Sequence, residues 1–271
     1  MMNNSADIKI ANDGWQYENS LKSPLVLDPP KDMEQLLQRL NAIVGRSVNE
    51  LAVLAGVYMP EPSRQSRGYS GQIIELFLGA DASNQSLPDF VDLGIELKTI
   101  PVSSDFTARE TTFISAATIN PERYIPFERT SLYSKVRHML FVILFAPKGL
   151  PPAERRILGY FFFQPDKDQL AIMEQDYNEF NELIFSGRAH EINGTMGNIL
   201  QMRPKALDSL TYTPVRDTEG NTAWTTPRGY YFRQAFTTSL LQALSAAQGL
   251  QPGDLAHLKE LQHILMPSEP S

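Results

Sequence analysis

Apolar residues recur at helical spacing in the first third of the chain and cluster in short strand-like runs in the middle. Met33, Leu36, Leu37, Leu40 and Val44 fall near one face of a helix. Ser47-Val48-Asn49-Glu50 has the form of a capping box, opening a second short helix with Leu51, Leu54 and Ala55 on one face and Gly56 as its stop. These two helices are expected to pack as a hairpin on the core. A third helix is predicted from Gly71 to Gly79, and Glu75 is the one charge in that apolar stretch. A carboxylate there is either solvated on an amphipathic face or aimed at something cationic. Runs rich in β-branched and aromatic residues, Ile95 to Ile100, Thr111 to Thr118, Met139 to Ala146 and Ile157 to Gln164, predict strands. Asp168 to Phe185 predicts a long helix closed by Gly187. His190 to Ile192 and Ile199 to Met202 predict a hairpin about Gly194 to Gly197. A loop is then expected to Pro227, a short strand running into a helix over Tyr230 to Ala247, and a small helix at Leu255 to Leu265.

This order predicts an α/β fold with a mixed central β-sheet flanked by helices. Residues 1–30 read as a flexible lead-in, 31–250 as the folded unit, and 251–271 as a variable tail.

Composition narrows the chemistry. The chain has no cysteine, which excludes disulfides, thiolate zinc sites and cysteine nucleophiles, so any metal must be held by oxygen or by one of 4 histidines. No apolar run approaches the roughly 18 residues of a membrane span. The polar start lacks the pattern of a signal peptide, so a cytoplasmic protein is expected. A net charge of -7 counts against nucleic acid as a partner. Its distribution softens that objection, because acid concentrates between Asp166 and Glu191, whereas Arg203, Lys205, Arg216, Arg228 and Arg233 lie beyond it.

The stretch Asp89-Phe90-Val91-Asp92-Leu93-Gly94-Ile95-Glu96-Leu97-Lys98 carries the most chemistry. Glu96 and Lys98 share one face of a strand, and Asp89 is expected to return toward Glu96 from a neighbouring strand. Two carboxylates suit a hard cation such as Mg²⁺, and the Lys can orient or deprotonate a water beside it. On spacing alone, a solvent-facing strand with an ordinary Glu/Lys pair would look the same.

Further blocks make the chain resemble the DNA mismatch-repair endonuclease MutH family from about Leu36 to Leu244. They are Gly71 to Ala80, Asp89 to Pro101, Glu110-Thr111-Thr112-Phe113, Val136-Arg137-His138, Gln201 to Ala206, and Pro227-Arg228-Gly229-Tyr230-Tyr231. The resemblance implies a restriction-endonuclease-like core with two subdomain arms forming a DNA-binding cleft. It implies Mg²⁺-dependent nicking of the unmethylated strand 5′ of G at hemimethylated GATC sites in double-stranded DNA. It also implies activation by MutL, with MutS upstream, and a protein that is a monomer in solution. Residue by residue, it assigns catalysis to Glu75, Asp89, Glu96 and Lys98, with Asp89 and Glu96 holding the metal. It assigns DNA contacts to Arg67, Phe113, Arg203, Lys205 and Tyr231. Arg203 and Lys205 would read bases in the major groove, and Tyr231 would meet the adenine N6 position. Tyr230 and Tyr231 as plain core aromatics, and Phe113 as an ordinary strand residue, stand beside that assignment.

One departure falls near the site, where the family has a lysine directly after Arg-His and this chain has Met139, leaving Lys135 as the candidate replacement. Two other functions fit parts of the pattern: a GATC-specific type II restriction-type endonuclease, and a GATC-binding module without catalysis.

Overall fold

The computed structural model describes residues 27–57, 68–80, 86–205 and 211–247, together with the backbone of a short strand pair, β1 (Ile10–Ala11) and β2 (Gly14–Trp15). The expectations for the ends of the chain, including the small helix after Leu255, lie outside the described residues.

Three helices form where the apolar periodicity predicts them. α1 (Met33–Ile43) is capped by Asp32, whose side chain accepts from the Gln35 amide, and it buries Leu36, Leu40 and Ile43. α2 (Val48–Leu54) opens with a complete Ser47/Glu50 capping box. α3 (Tyr69–Leu78) runs between two left-handed glycines, Gly68 and Gly79. A side chain at Gly79 would force its neighbours to move, because a Cβ there would lie 2.4 Å from both the Arg39 guanidinium and the Asp28 carbonyl. That guanidinium donates to Asp28 O and Leu78 O, each at 2.8 Å, tying α1 to the end of α3.

The next strands are β3 (Glu96–Val102), β4 (Thr112–Ala117), β5 (Met139–Phe145) and β6 (Arg156–Phe163), with a short helix α4 (Ser131–Val136) before β5. β3 lies parallel to β5, which lies antiparallel to β6, giving a mixed sheet in the order β3-β5-β6. The unbroken apolar run of β5 follows from its place, since a central strand covered on both faces needs apolar residues at every position. Met139, Phe141 and Ile143 enter one core, while Leu140, Val142 and Leu144 enter another with α1, α2 and α3.

The first of those cores is shared with α5 (Lys167–Phe185) and with a second, antiparallel sheet. That sheet has the order β4-β10-β7, built from β7 (Leu200–Pro204) and β10 (Arg228–Phe232), and β10 leads into α6 (Gln234–Ala247).

β3, which carries Glu96 and Lys98, is an edge strand of its sheet, and Lys98 lines an open groove. Two expectations change. The hairpin expected around Gly194 to Gly197 is absent, because Ala189–Glu191 forms a 3₁₀ turn and β7 pairs with β10. The reason is Asp176 on α5. Its buried carboxylate accepts from the amides of Asn198, Ile199 and Leu200 at 2.7 to 2.8 Å, which fixes where β7 starts. The loop expected up to Pro227 contains a hairpin of β8 (Thr213–Arg216) and β9 (Thr222–Thr225).

Candidate functional site

Asp89 reaches Glu96 through a tight turn rather than from a neighbouring strand. Phe90 and Ile95 form an isolated bridge around a 3₁₀ turn at Val91–Leu93, closed by Gly94 in a left-handed conformation. The turn brings the Asp89 carboxylate against β3, where its Oδ2 accepts from the Leu97 amide at 2.8 Å.

Around it the charged groups interlock. Lys98 Nζ donates to Glu96 Oε1 at 2.5 Å and to the Leu97 carbonyl at 2.8 Å, and lies 3.6 Å from Asp89 Oδ2. Lys135, at the end of α4, donates to both Glu96 oxygens, at 2.9 and 3.0 Å. Glu96 is fully buried, so these ammoniums supply the solvation that water cannot. Burial nonetheless pushes the Glu96 carboxyl upward, with Lys98 opposing, Asp89 adding and Lys135 opposing. Burial alone would lower Lys98, but Glu96 and Asp89 outweigh it and raise its ammonium above the ordinary range. Glu75 faces the same cluster from α3. Its carboxyl is raised first by burial and then by Asp89. It is therefore part of a charged cluster rather than a solvated residue.

Three carboxylates against two ammoniums leave this cluster short of positive charge. Asp89 Oδ2, Glu96 Oε1 and the Leu97 carbonyl all lie around one ammonium, a set of oxygens that also suits a hard divalent cation. No group of three or more His, Asp or Glu side chains forms a ready metal cage among the described residues. A cation such as Mg²⁺ that keeps most of its waters needs only two carboxylates and a carbonyl, so the donor set fits it. The Leu97 carbonyl had no signal in the side-chain pattern. Lys135 was legible only as a possible stand-in for the lysine missing at Met139.

The opposite wall comes from the antiparallel sheet. Phe113 on β4 and Tyr231 on β10 are cross-strand partners whose rings meet edge to face at 5.2 Å. Lys205 Nζ lies 3.8 Å from the centre of the Phe113 ring. Burial lowers its pKa, and Lys135 and Lys98 add to the effect, so its charge is felt across the groove. Arg203 is exposed at the end of β7 and donates to the Thr111 hydroxyl at 3.3 Å. Gly229 makes the wall possible, because a Cβ there would lie 2.7 Å from the Phe113 ring.

Glu75, Lys98, Phe113, Arg203 and Tyr231 all line one cleft of ≈ 830 Å³. Tyr230, by contrast, is buried against Tyr177 and Phe180. Arg67 lies outside the described residues, although Gly68 beside it lines the cleft. Two arginines counted toward the basic face are occupied elsewhere. Arg228 is buried and donates to Ile192 O, and Arg233 donates to the carbonyls of Thr195, Met196 and Gly197.

A family model described as DNA mismatch repair enzyme MutH matches residues 78–176. The DNA mismatch repair protein MutH of Shewanella sp. (strain MR-7) is 34% identical over 213 residues, spanning 79% of this chain and 96% of that protein. Its namesake from Klebsiella pneumoniae (strain 342) is 35% identical over the same length, 79% of this chain and 92% of the other. The chain belongs to the MutH family. The MutH model spans Asp89, Glu96, Lys98, Phe113 and Lys135, and thus the charged cluster apart from Glu75. The mixed sheet flanked by helices is the fold expected for a MutH chain.

Proposed function

We propose that this protein is a Mg²⁺-dependent DNA endonuclease of mismatch repair that nicks the unmethylated strand 5′ of G at hemimethylated GATC sites. The observation that carries the proposal is one cleft lined by Glu75 and Lys98 of the charged cluster on one side and by Phe113, Tyr231 and Arg203 on the other, with Glu96 bonded to Lys98 and Lys205 over the Phe113 ring. Asp89, Glu96 and the Leu97 carbonyl would hold the metal, which when bound supplies charge to the scissile phosphate and the leaving oxygen.

The other tasks fall to the chain's own groups. Lys98, held beside Glu96 and Asp89, positions the attacking water. Lys135 holds Glu96 in place. Glu75 adds a carboxylate from α3 within electrostatic reach of Asp89, Lys98 and Glu96. Arg203 and Lys205 carry donors suited to G O6 and N7 in the major groove. Tyr231 is set to meet the adenine N6 position, and Phe113 to press against the base stack. Arg67 is assigned a phosphate contact.

The proposed partners are duplex DNA and MutL, with MutS upstream, and the protein is proposed to act as a cytoplasmic monomer. No helix among the described residues is long and apolar enough to cross a membrane. The test is one gel of unmethylated, hemimethylated and fully methylated GATC duplexes with Mg²⁺, with and without MutL. Cutting at other sequences, or indifference to both methylation and MutL, would overturn the proposal in favour of a restriction-type enzyme. Binding without cutting would leave a GATC-binding module.

A further inference from the structure

The antiparallel sheet has a second cavity on the side away from the cleft. Its register shifts between Tyr230 and Tyr231, so that Tyr231 pairs with Phe113 while its neighbour Tyr230 pairs with Ser115. Successive residues of a strand point to opposite faces. That rule separates Tyr230 from Tyr231, and the register shift separates Ser115 from Phe113, so Tyr231 and Phe113 line the cleft, whereas Tyr230 and Ser115 line a cavity of ≈ 150 Å³ together with Thr118, Asn181, Arg123 and Arg129.

Ser115 is 4% exposed, and its hydroxyl has no hydrogen-bond partner. A buried polar atom left unpaired in a native fold calls for a ligand or an ordered water. Arg123 and Arg129 are exposed, belong to none of the ion pairs among the described residues, and share the cavity wall with no carboxylate. Burial keeps the Tyr230 hydroxyl protonated, and it is hydrogen-bonded with Asn181. The volume exceeds the roughly 30 Å³ share of a water molecule. It is also smaller than the roughly 300 Å³ at which sites for whole organic ligands begin.

We propose that this cavity binds a phosphate group, free or at the end of a nucleotide, with Arg123 and Arg129 at its mouth and the Ser115 hydroxyl in its wall. Guanidinium groups match the oxygens of phosphate in pairs, and the neutral Ser115 hydroxyl supplies a further donor. A phosphate there touches Tyr230, next in sequence to Tyr231, and so meets the reading strand from behind.

Thermal unfolding of the full chain at constant ionic strength tests this. Inorganic phosphate in place of chloride should raise Tm by about 3 °C in a saturable way. The double variant Arg123→Gln/Arg129→Gln should lose the response while keeping its own Tm within about 1 °C, as both residues are exposed. Lys205→Ala, on the cleft side, should keep it. Tighter binding of AMP than of inorganic phosphate would identify a nucleotide as the source, and equal binding would identify the free ion. The proposal fails if phosphate gives no shift, as a cavity filled by water alone would, or if acetate does as well. It fails equally if the shift survives the double arginine change.

Discussion

Lys135 embraces both oxygens of Glu96, at 2.9 and 3.0 Å, while Lys98 takes only one. The lysine outside the Glu-X-Lys motif is thus the fuller partner of the buried carboxylate. In Lys135→Gln, Glu96 loses a cation that holds its pKa down, and its carboxyl should rise further. Cutting needs Glu96 ionised, so the acidic limb of the pH–rate profile should move to higher pH, with a loss of about 10- to 100-fold at neutral pH. An unmoved limb would show that Lys98 alone governs Glu96.

Lys98→Ala should lower the cutting rate by at least about 100-fold while leaving DNA binding within a few-fold. An equal loss of binding, measured with Ca²⁺ in place of Mg²⁺, would reassign Lys98 from water positioning to DNA contact.

Glu75 and Glu96 are both raised, so the native protein holds these protons to higher pH than the unfolded chain does. Their contribution to stability is therefore full at low pH and is lost as pH rises through their folded values. Mg²⁺ should stabilise the protein most on the alkaline side of that window, where both groups are ionised. Glu75→Gln should raise the metal-free Tm by about 2–4 °C and reduce the benefit of Mg²⁺. The check is Tm against pH, with and without MgCl₂; a variant that lost Tm in the absence of metal would contradict it.

The two adjacent tyrosines should separate cleanly. Tyr230→Ala should cost about 3–5 kcal/mol of stability, because it empties a site packed by Tyr177 and Phe180. Tyr231→Ser should cost less and should blur the distinction between methylated and unmethylated GATC. Denaturation curves beside a nicking assay decide it, and equal stability losses would remove the contrast.

Two glycines with similar angles make an internal control. Gly79→Ala meets φ 70° and two atoms at 2.4 Å, and should cost more than about 2 kcal/mol. Gly149→Ala meets φ 90° with nothing within 4 Å, and should cost about 1 kcal/mol. Urea unfolding of both variants compares a clash with strain alone.

Much of the fold was legible because local signals and packing agree. The Ser47/Glu50 box, the Gly79 stop and the apolar run of β5 each state their own structure. The β7 pairing was hidden because its cause, Asp176, is distant in sequence and looked like one more acid in an acidic stretch. The β8–β9 hairpin was missed because Thr and Pro there resemble a loop. In the site, the Glu-X-Lys strand was readable, since both groups lie on one element. Lys135 and the Leu97 carbonyl needed a second element or the backbone, which side-chain spacing does not encode.

β5 gives alternate residues to two cores, one behind the charged cluster and one beneath the reading wall. The two cores beneath the cleft are therefore joined through one strand. Neither half should survive expression alone, and a damaging change in this strand should cost the protein its scissors and its alphabet together.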